Sequence, residues 1–184
     1  VLPHVDVITA VSPAAIGYIQ EYTDKDINYI PNGYDSTTYK ARKAERDPYL
    51  ILFIGRLEKR KGAKQAIRAF AELKQSKPEV VLKIAGDGPL KKSLEQYVQD
   101  YEIKDVEFLG FIDDETKLDL LSRCSIYTSP ALYGESFGIV LAEAMAMQAP
   151  IVAHHNDGYK GVLSETGRLS LVDCNDATAY AERM

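Results

Sequence analysis

Short apolar runs alternate with amphipathic stretches from residue 50 onward, and this alternation limits the fold more than any other feature. Because predicted helices of roughly ten residues separate the predicted strands, the connections are right-handed crossovers between parallel strands. The sequence therefore predicts an α/β fold with a Rossmann-like, doubly wound parallel sheet. The predicted strands are Leu50–Ile54, Val80–Ala85, Val106–Leu109, Ile126–Ser129, Ile151–Ala153 and Leu169–Val172. The predicted helices are Ala63–Ser76, Leu90–Tyr101, Lys117–Cys124 and Phe137–Met147, with another beginning at Asp176.

A strand–helix–strand unit precedes this series, and a charged linker joins the two. The pattern predicts strands at Asp6–Val11 and Asn28–Ile30. Between them it predicts a helix over Pro13–Tyr22, with Ser12 as its cap and a proline at its first position. The linker is the charged segment Tyr39–Pro48, which predicts irregular structure.

Length, charge and cysteine content narrow the class of protein. The 184 residues suffice for one sizeable domain, and the net charge of -5 argues against a nucleic-acid partner. Cys124 and Cys174 fit neither a metal-ligand pattern nor a disulfide framework. Without a signal-peptide pattern or an apolar run that could span a bilayer, we expect a cytoplasmic protein. Because the chain begins at Val1 and stops at Met184 within an expected helix, we expect a piece of a longer protein.

The first loop after a predicted main-sheet strand is a candidate phosphate site, since such sheets bind ligands beyond the carboxyl ends of their strands. This loop, residues 55–62 with the sequence GRLEKRKG, starts at Gly55 and contains four basic residues. A helix begins near Gly62, so its amides and the neighbouring Arg and Lys side chains favour a diphosphate. A solvated basic surface loop is the alternative interpretation.

The next two loops combine a sharp turn with acidic residues. Residues 86–89, with the sequence GDGP, lack the spacing of the dinucleotide fingerprint and predict a plain strand–helix connection. The wall of a nucleotide pocket is the alternative for this turn. In residues 110–117, backbone groups can read the edge of a base, and Asp113 or Asp114 can accept hydrogen bonds from guanine. Helix capping is the favoured interpretation of both carboxylates.

Two glutamates, eight residues apart, mark the fourth loop and the helix after it. Glu135 lies in a glycine-flanked loop, whereas Glu143 lies inside an otherwise apolar helix. Because an unpaired buried carboxylate is costly, we expect Glu143 to have a partner, and sugar or ribose hydroxyls are suitable. The amides of residues 137–140 open the predicted helix and can donate to a phosphate. The alternative is that Glu143 pairs with a buried Arg or Lys of the chain itself.

These segments together resemble the retaining glycosyltransferases of the two-domain GT-B type (glycosyltransferase group 1, or family 4). That family includes the phosphatidylinositol mannosyltransferases and the sucrose synthases. The resemblance rests on the basic loop 55–62, the turn 86–89, and the pair Glu135 and Glu143. Residues 31–35, with the sequence PNGYD, also resemble the turn at the start of the family's second domain.

The resemblance implies that the chain is the C-terminal half of such an enzyme. Residues 1–40 would form the inter-domain segment and the start of the C-terminal domain. Residues 41–184 would form the Rossmann-like domain that binds the nucleotide-sugar donor. The N-terminal acceptor-binding domain, with the family's usual catalytic histidine, would be absent from this chain, so we expect donor binding without turnover.

The resemblance also assigns roles to individual residues. Arg56 and Lys61 would hold the donor diphosphate and stabilise the leaving group, and Glu135 would contact the sugar, which makes these three the candidate catalytic residues. Glu143 would bind ribose hydroxyls, and the backbone near Ile112 would contact the base. No metal or other cofactor is implied, and the chain contains no Asp-x-Asp motif. The donor-binding candidates are Gly55, Arg56, Lys61, Gly86, Ile112, Asp114, Glu135, Ser136, Phe137, Gly138, Ile139, Val140 and Glu143.

The implied reaction is transfer of a hexose, with retained configuration, from a nucleotide-diphosphate sugar to a glycan, lipid or small-molecule acceptor. A lipid acceptor would imply peripheral membrane association of the full-length enzyme. Many family members carry paired glycines and a Glu after the fifth strand of this series, where this chain has the sequence HHNDG at residues 154–158. Two alternatives stay open: a sugar-nucleotide epimerase of the same architecture, and a non-catalytic nucleotide-binding module such as a flavodoxin-like receiver.

Overall fold

A computed structural model describes residues 4–42, 44–163 and 165–184. Its first part is a two-stranded parallel sheet of β1 (Ile8–Ala10) and β2 (Ile27–Tyr29), joined by helix α1 (Pro13–Gln20). The Ser12 hydroxyl accepts a hydrogen bond of 3.0 Å from the Ala15 amide, so Ser12 caps α1 as its sequence predicts.

The main part is a six-stranded sheet in the order β5-β4-β3-β6-β7-β8, in which every neighbouring pair is parallel. This arrangement confirms the predicted α/β fold and its parallel sheet. Within the described ranges, no helix combines the length and apolar character that crossing a bilayer requires. The strands are β3 (Asp47–Ile54), β4 (Val81–Ala85), β5 (Val106–Gly110), β6 (Cys124–Ser129), β7 (Ile151–His154) and β8 (Leu171–Val172). The helices are α2 (Ala63–Ser76), α3 (Lys91–Asp100), α4 (Asp114–Arg123), α5 (Ile139–Ala146), α6 (Asp157–Val162) and α7 (Ala177–Arg183).

Strand β3 lies between two apolar cores because its side chains alternate between the two faces of the sheet. Ile51 and Phe53 belong to the core that contains residues of α2, α3 and α7. Leu50 and Leu52 belong to the other core, with residues of α4, α5 and α6. Full burial of one such side chain stabilises the fold by about 1.5–3 kcal/mol, so β3 needs an uninterrupted apolar run. Helices therefore cover both faces, as a doubly wound sheet requires.

Two helices start two or more residues away from their predicted first residue. Helix α4 begins at Asp114, before Lys117, because the Asp113 carboxylate accepts a hydrogen bond of 2.8 Å from the Thr116 amide. This contact confirms the capping interpretation of Asp113, and it holds the pKa of that carboxyl below its usual range. Helix α5 begins at Ile139, after Phe137, because Gly138 has a φ of 87° and precedes the first helical turn.

After β7, helix α6 and strand β8 also differ from the prediction. Residues 154–158 contain the start of α6, which the sequence did not predict, and the Asn156 side chain caps it by accepting from the Tyr159 amide at 2.9 Å. The last strand is limited to Leu171–Val172, because a 3-10 turn occupies Glu165–Ser170.

Candidate functional site

The candidate site lies where the strand order of the main sheet reverses. Counted from β3 as the first strand, the order across the sheet is 3-2-1-4-5-6, which is that of dinucleotide-binding folds. A flavodoxin-like receiver has a different order, so the topology argues against the receiver alternative. The reversal falls between β3 and β6, and their carboxyl ends lead into the loops that start at Gly55 and Pro130.

The loops after β3 and β4 pack backbone against backbone at this edge. The amide of Gly55 donates to the Ala85 carbonyl at 3.0 Å, and the amide of Leu57 donates to the Asp87 carbonyl at 2.8 Å. Gly86 has a φ of 133°, and a Cβ atom on it would lie 2.0 Å from the Gly55 carbonyl oxygen. The turn at residues 86–89 therefore needs glycine in order to hold the first loop over the end of the sheet.

The basic loop reaches the fourth loop through a carboxylate. Lys61 Nζ donates to Glu135 Oε1, and Arg60 Nη1 donates to the same oxygen at 3.2 Å. Gly62, at a φ of 74°, places this turn so close to the end of β6 that an added Cβ would lie 2.0 Å from the Pro130 carbonyl oxygen. The Glu135 side chain is only 9% exposed, so two cations neutralise a buried carboxylate at the switch point.

Arg60 is a site residue that the sequence analysis did not single out. It belongs to the predicted basic loop, but only the 3-10 turn Lys59–Lys61 brings its guanidinium beside Lys61 on the same carboxylate. Arg60 Nε also lies 2.7 Å from Glu58 Oε1. The two groups form an ion pair but no hydrogen bond, because the N–H does not point at this oxygen. Arg56, by contrast, has a side chain that is 70% exposed and lies 3.7 Å from Glu58. The structure therefore places Lys61 in the cluster and leaves Arg56 exposed, with one long ion-pair contact to Glu58.

A pocket of about 440 Å³ lies beyond β3, β4 and β5, and its lining residue Arg56 connects it to this cluster through Glu58, which pairs with both Arg56 and Arg60. Five of the predicted donor-binding residues line it together. Phe111, which is 88% exposed, and Lys117 also line it. The five predicted residues are Gly55, Arg56, Gly86, Ile112 and Asp114.

Glu143 has partners from two distant parts of the chain. The Tyr39 hydroxyl donates to Glu143 Oε1 at 2.7 Å, and Lys117 Nζ lies 3.4 Å from Oε1 and 3.5 Å from Oε2. Burial lowers the pKa of Lys117, but Tyr39 and Glu143 outweigh it, so the net shift is upward and the ammonium stays charged. Glu143 thus has two partners within the chain, and Lys117 is the basic partner that the alternative interpretation predicts.

The segment between the glutamates offers unused backbone donors. Among the described residues, no backbone or side-chain acceptor engages the amides of Ser136, Phe137 and Gly138. These amides lead into the first turn of α5, which continues with Ile139 and Val140. Free amides at a helix start are the groups that bind phosphate or other anions in many proteins.

Glu135, His154 and His155 line a second pocket of about 270 Å³. His154 Nδ1 accepts a hydrogen bond of 3.2 Å from the Cys174 amide, which leaves the proton on Nε2. Burial holds the pKa of His154 below its ordinary value. In the described part of the chain, one group of potential metal ligands occurs, namely His154, Asp173 and Cys174. Because burial raises the pKa of the Cys174 thiol to about 12 and the amide occupies Nδ1, these residues are poor ligands.

Together, the strand order, the two-cation cluster and the adjoining pocket define a Rossmann-like domain of the nucleotide-binding class. A sequence model of the family "Glycosyl transferases group 1" matches residues 35–184. The chain therefore belongs to the group 1 glycosyltransferases.

Known proteins of this family resemble the chain over most of its length. The phosphatidyl-myo-inositol mannosyltransferase of Mycolicibacterium smegmatis is 36% identical over 179 residues, which cover 94% of this chain and 46% of that protein. The glycogen synthase of Mycobacterium tuberculosis is 33% identical over 136 residues, which cover 72% of this chain and 33% of that protein. The chain spans about half the length of the mannosyltransferase and a third of the synthase.

Solved structures agree with the fold. Anabaena Alr3699/HepE, determined with UDP and glucose, superposes with a TM-score of 0.80 at 26% identity, covering 97% of this chain and 52% of that one. TarM superposes with a TM-score of 0.85 over 98% of this chain and 36% of that one. Its 19% identity supports the fold alone.

Proposed function

We propose that this chain is the donor-binding domain of a retaining GT-B glycosyltransferase that moves a hexose from a nucleotide-diphosphate sugar to an acceptor. The observation that carries the proposal is the contact of Lys61 and Arg60 with the buried Glu135 carboxylate, beside a pocket at the switch point. The mannosyltransferase and synthase relatives favour group transfer over the epimerase alternative. The complex of HepE with UDP and glucose supports a donor of this class.

The basic residues would act on the leaving group. When the bond between the sugar carbon and the diphosphate oxygen breaks, negative charge develops on the diphosphate. The exposed Arg56 side chain lines the pocket and can grip two phosphate oxygens, while Lys61 supplies a point charge. The unused amides of Ser136, Phe137 and Gly138, with those of Ile139 and Val140, would donate to the phosphate and the sugar.

Glu135 would bind the sugar instead of acting as a proton donor or acceptor. Two cations hold its Oε1 atom, which fixes the carboxylate in one orientation. A fixed, mostly buried carboxylate is a strong acceptor for sugar hydroxyls and distinguishes their positions. The acceptor, whether a glycan, a lipid or a small molecule, would bind mainly to the N-terminal domain of the longer enzyme.

The pocket of about 440 Å³ would hold the nucleoside. The backbone of Ile112 would contact the edge of the base, and Asp114 could accept from the ring and amino N–H groups of guanine. Uracil offers one N–H donor at this edge, so the preference between GDP and UDP tests the role of Asp114. Arg56, Lys61 and the unused backbone amides would hold the diphosphate without a divalent metal, and added EDTA should leave binding unchanged.

Calorimetric titration of the chain with UDP and with GDP tests the proposal. We expect binding of at least one of them, a loss of roughly tenfold or more in affinity for Arg56→Ala, which removes a charge-assisted contact, and a similar loss for Glu143→Ala. Arg123→Ala is the matched control for the arginine. Arg123 ends α4 directly before the amino end of β6, whereas the site lies beyond the carboxyl ends of the strands. Equal affinities for the Arg56, Glu143 and control variants would contradict the assigned site.

A further inference from the structure

The carboxylate of Glu143 is held by a hydroxyl that comes from the linker before the main sheet. We propose that Tyr39 is a positioning residue for ribose recognition: it holds Glu143 Oε1 so that Oε2 is presented to the ribose. This inference rests on the proposed function, because it concerns the same donor site. It also concerns a residue that touches no part of the 440 Å³ pocket.

The two oxygens of Glu143 are unequally occupied. Oε1 accepts the Tyr39 hydroxyl at 2.7 Å and also lies 3.4 Å from Lys117 Nζ. Among the described residues, Oε2 has only the long contact of 3.5 Å to Lys117 Nζ. A carboxylate oxygen has two acceptor positions, so Oε2 keeps capacity for a hydroxyl donor. Lys117 also lines the nucleoside pocket, which places Glu143 at its margin.

The turn at Asp35 fixes the place of Tyr39. The Asp35 carboxylate accepts from the Thr37 amide at 2.8 Å, from the Thr37 hydroxyl at 2.6 Å and from the Thr38 hydroxyl at 2.6 Å. The Tyr39 amide donates to the Asp35 carbonyl at 2.8 Å. Beyond Tyr39, the Arg42 guanidinium donates to both oxygens of Glu115 on α4. The linker is therefore tied down on both sides of the tyrosine.

The hydroxyl of Tyr39 and its ring have separate contacts. The ring packs against the core that contains α4 and α5, and Lys117 Nζ lies 5.0 Å from its centroid. Burial raises the pKa of Tyr39, so its hydroxyl remains a donor at neutral pH. A phenylalanine would keep the packing and the contact of the ring with Lys117, and it would remove the interactions of the hydroxyl with Glu143 and with Lys117. Tyr39→Phe therefore isolates the proposed role from the structural role of the ring.

The test compares a nucleoside diphosphate with its 2′,3′-dideoxy form, which lacks both ribose hydroxyls. Using whichever of UDP and GDP binds more tightly, calorimetry gives the ratio of the two affinities for each variant. We expect Tyr39→Phe to shrink this ratio by roughly tenfold, the effect of one charge-assisted hydrogen bond, without changing the affinity for the dideoxy form. Tyr101→Phe is the matched control, because Tyr101 is exposed at the end of α3, ahead of the amino end of β5 and away from the strand ends that lead into the pocket, and it should keep the ratio.

Three results would overturn the inference. An unchanged ratio in Tyr39→Phe would remove the link to the ribose, and tighter binding of the ribonucleotide would mean that Tyr39 competes with it. The third result is additivity of Tyr39→Phe and Glu143→Gln in their effects on the free energy of unfolding. This measurement needs no nucleotide, and additive effects would mean that the two side chains do not interact. If the unmodified chain binds neither nucleotide while these two substitutions are coupled, the proposed function fails although the contact exists, and the ribose role fails with it.

Discussion

The buried carboxylate at the switch point gives the sharpest prediction for stability. Glu135→Gln keeps the size of the side chain and one acceptor oxygen but removes the charge that Lys61 and Arg60 share. Without it, two cations face each other beside a neutral amide. We expect the variant to be less stable than the unmodified chain.

The exposed fractions of the three side chains set the expected loss of stability in Glu135→Gln. Breaking a fully buried ion pair costs about 3–5 kcal/mol, whereas an exposed pair contributes about 0–1 kcal/mol. Glu135 is 9% exposed, but Lys61 and Arg60 are 21% and 37% exposed and can regain water. We therefore expect a loss of about 2 kcal/mol, which for a chain of this size lowers the unfolding temperature by roughly 4–8 °C.

Thermal unfolding followed by circular dichroism measures this loss. Glu107→Gln is a matched control, because Glu107 also pairs with a cation, Lys83, but has a side chain that is 52% exposed, and its variant should unfold at the temperature of the unmodified chain. Equal unfolding temperatures for Glu135→Gln and the control would refute the argument. They would mean that the cluster contributes nothing to holding the two loops together.

Three further predictions follow from glycine geometry, histidine burial and cysteine burial. Gly62→Ala should lower the free energy of unfolding by about 3 kcal/mol or more in urea, because it combines a positive φ with a Cβ 2.0 Å from the Pro130 carbonyl oxygen. Since burial depresses the pKa of His154 below 6.5, the unfolded chain takes up the proton first. Stability should therefore fall as the pH decreases from about 7 to about 5, and His154→Gln should flatten that slope. Burial raises the pKa of Cys124 and Cys174 to about 12, so iodoacetamide should modify neither thiol before denaturant is added, as mass spectrometry would show.

Much of the main sheet was predictable because its strands are buried on both faces. Residues 50–54 form an uninterrupted apolar run that Gly55 ends, and such runs have few interpretations other than a central parallel strand. Helix α6 was missed because its sequence contains two glycines and its N-terminal cap is the only local signal. Long-range contacts hold it, including a hydrogen bond of 2.6 Å between the hydroxyls of Tyr159 and Ser129.

The sequence indicates which residue types form the candidate site, but it indicates less well which side chains contact each other there. The basic loop and the two glutamates are visible in the sequence, but the choice of Arg60 beside Lys61 depends on a 3-10 turn. The contact between Tyr39 and Glu143 joins residues 104 positions apart, and nothing in the charged linker marks this tyrosine. Local patterns reveal which groups are available, whereas tertiary packing decides which of them meet.

The separation of Lys61 from Glu135 by 74 residues also sets the order in which the site can be made. During synthesis, the basic loop leaves the ribosome long before the glutamates that complete the site. A nascent chain at that stage carries the cations without the carboxylate that neutralises them. The proposed donor would gain its full set of contacts only after β6 has paired with β3 and α5 has formed. It would therefore stabilise the finished domain by mass action without guiding the first stages of its folding.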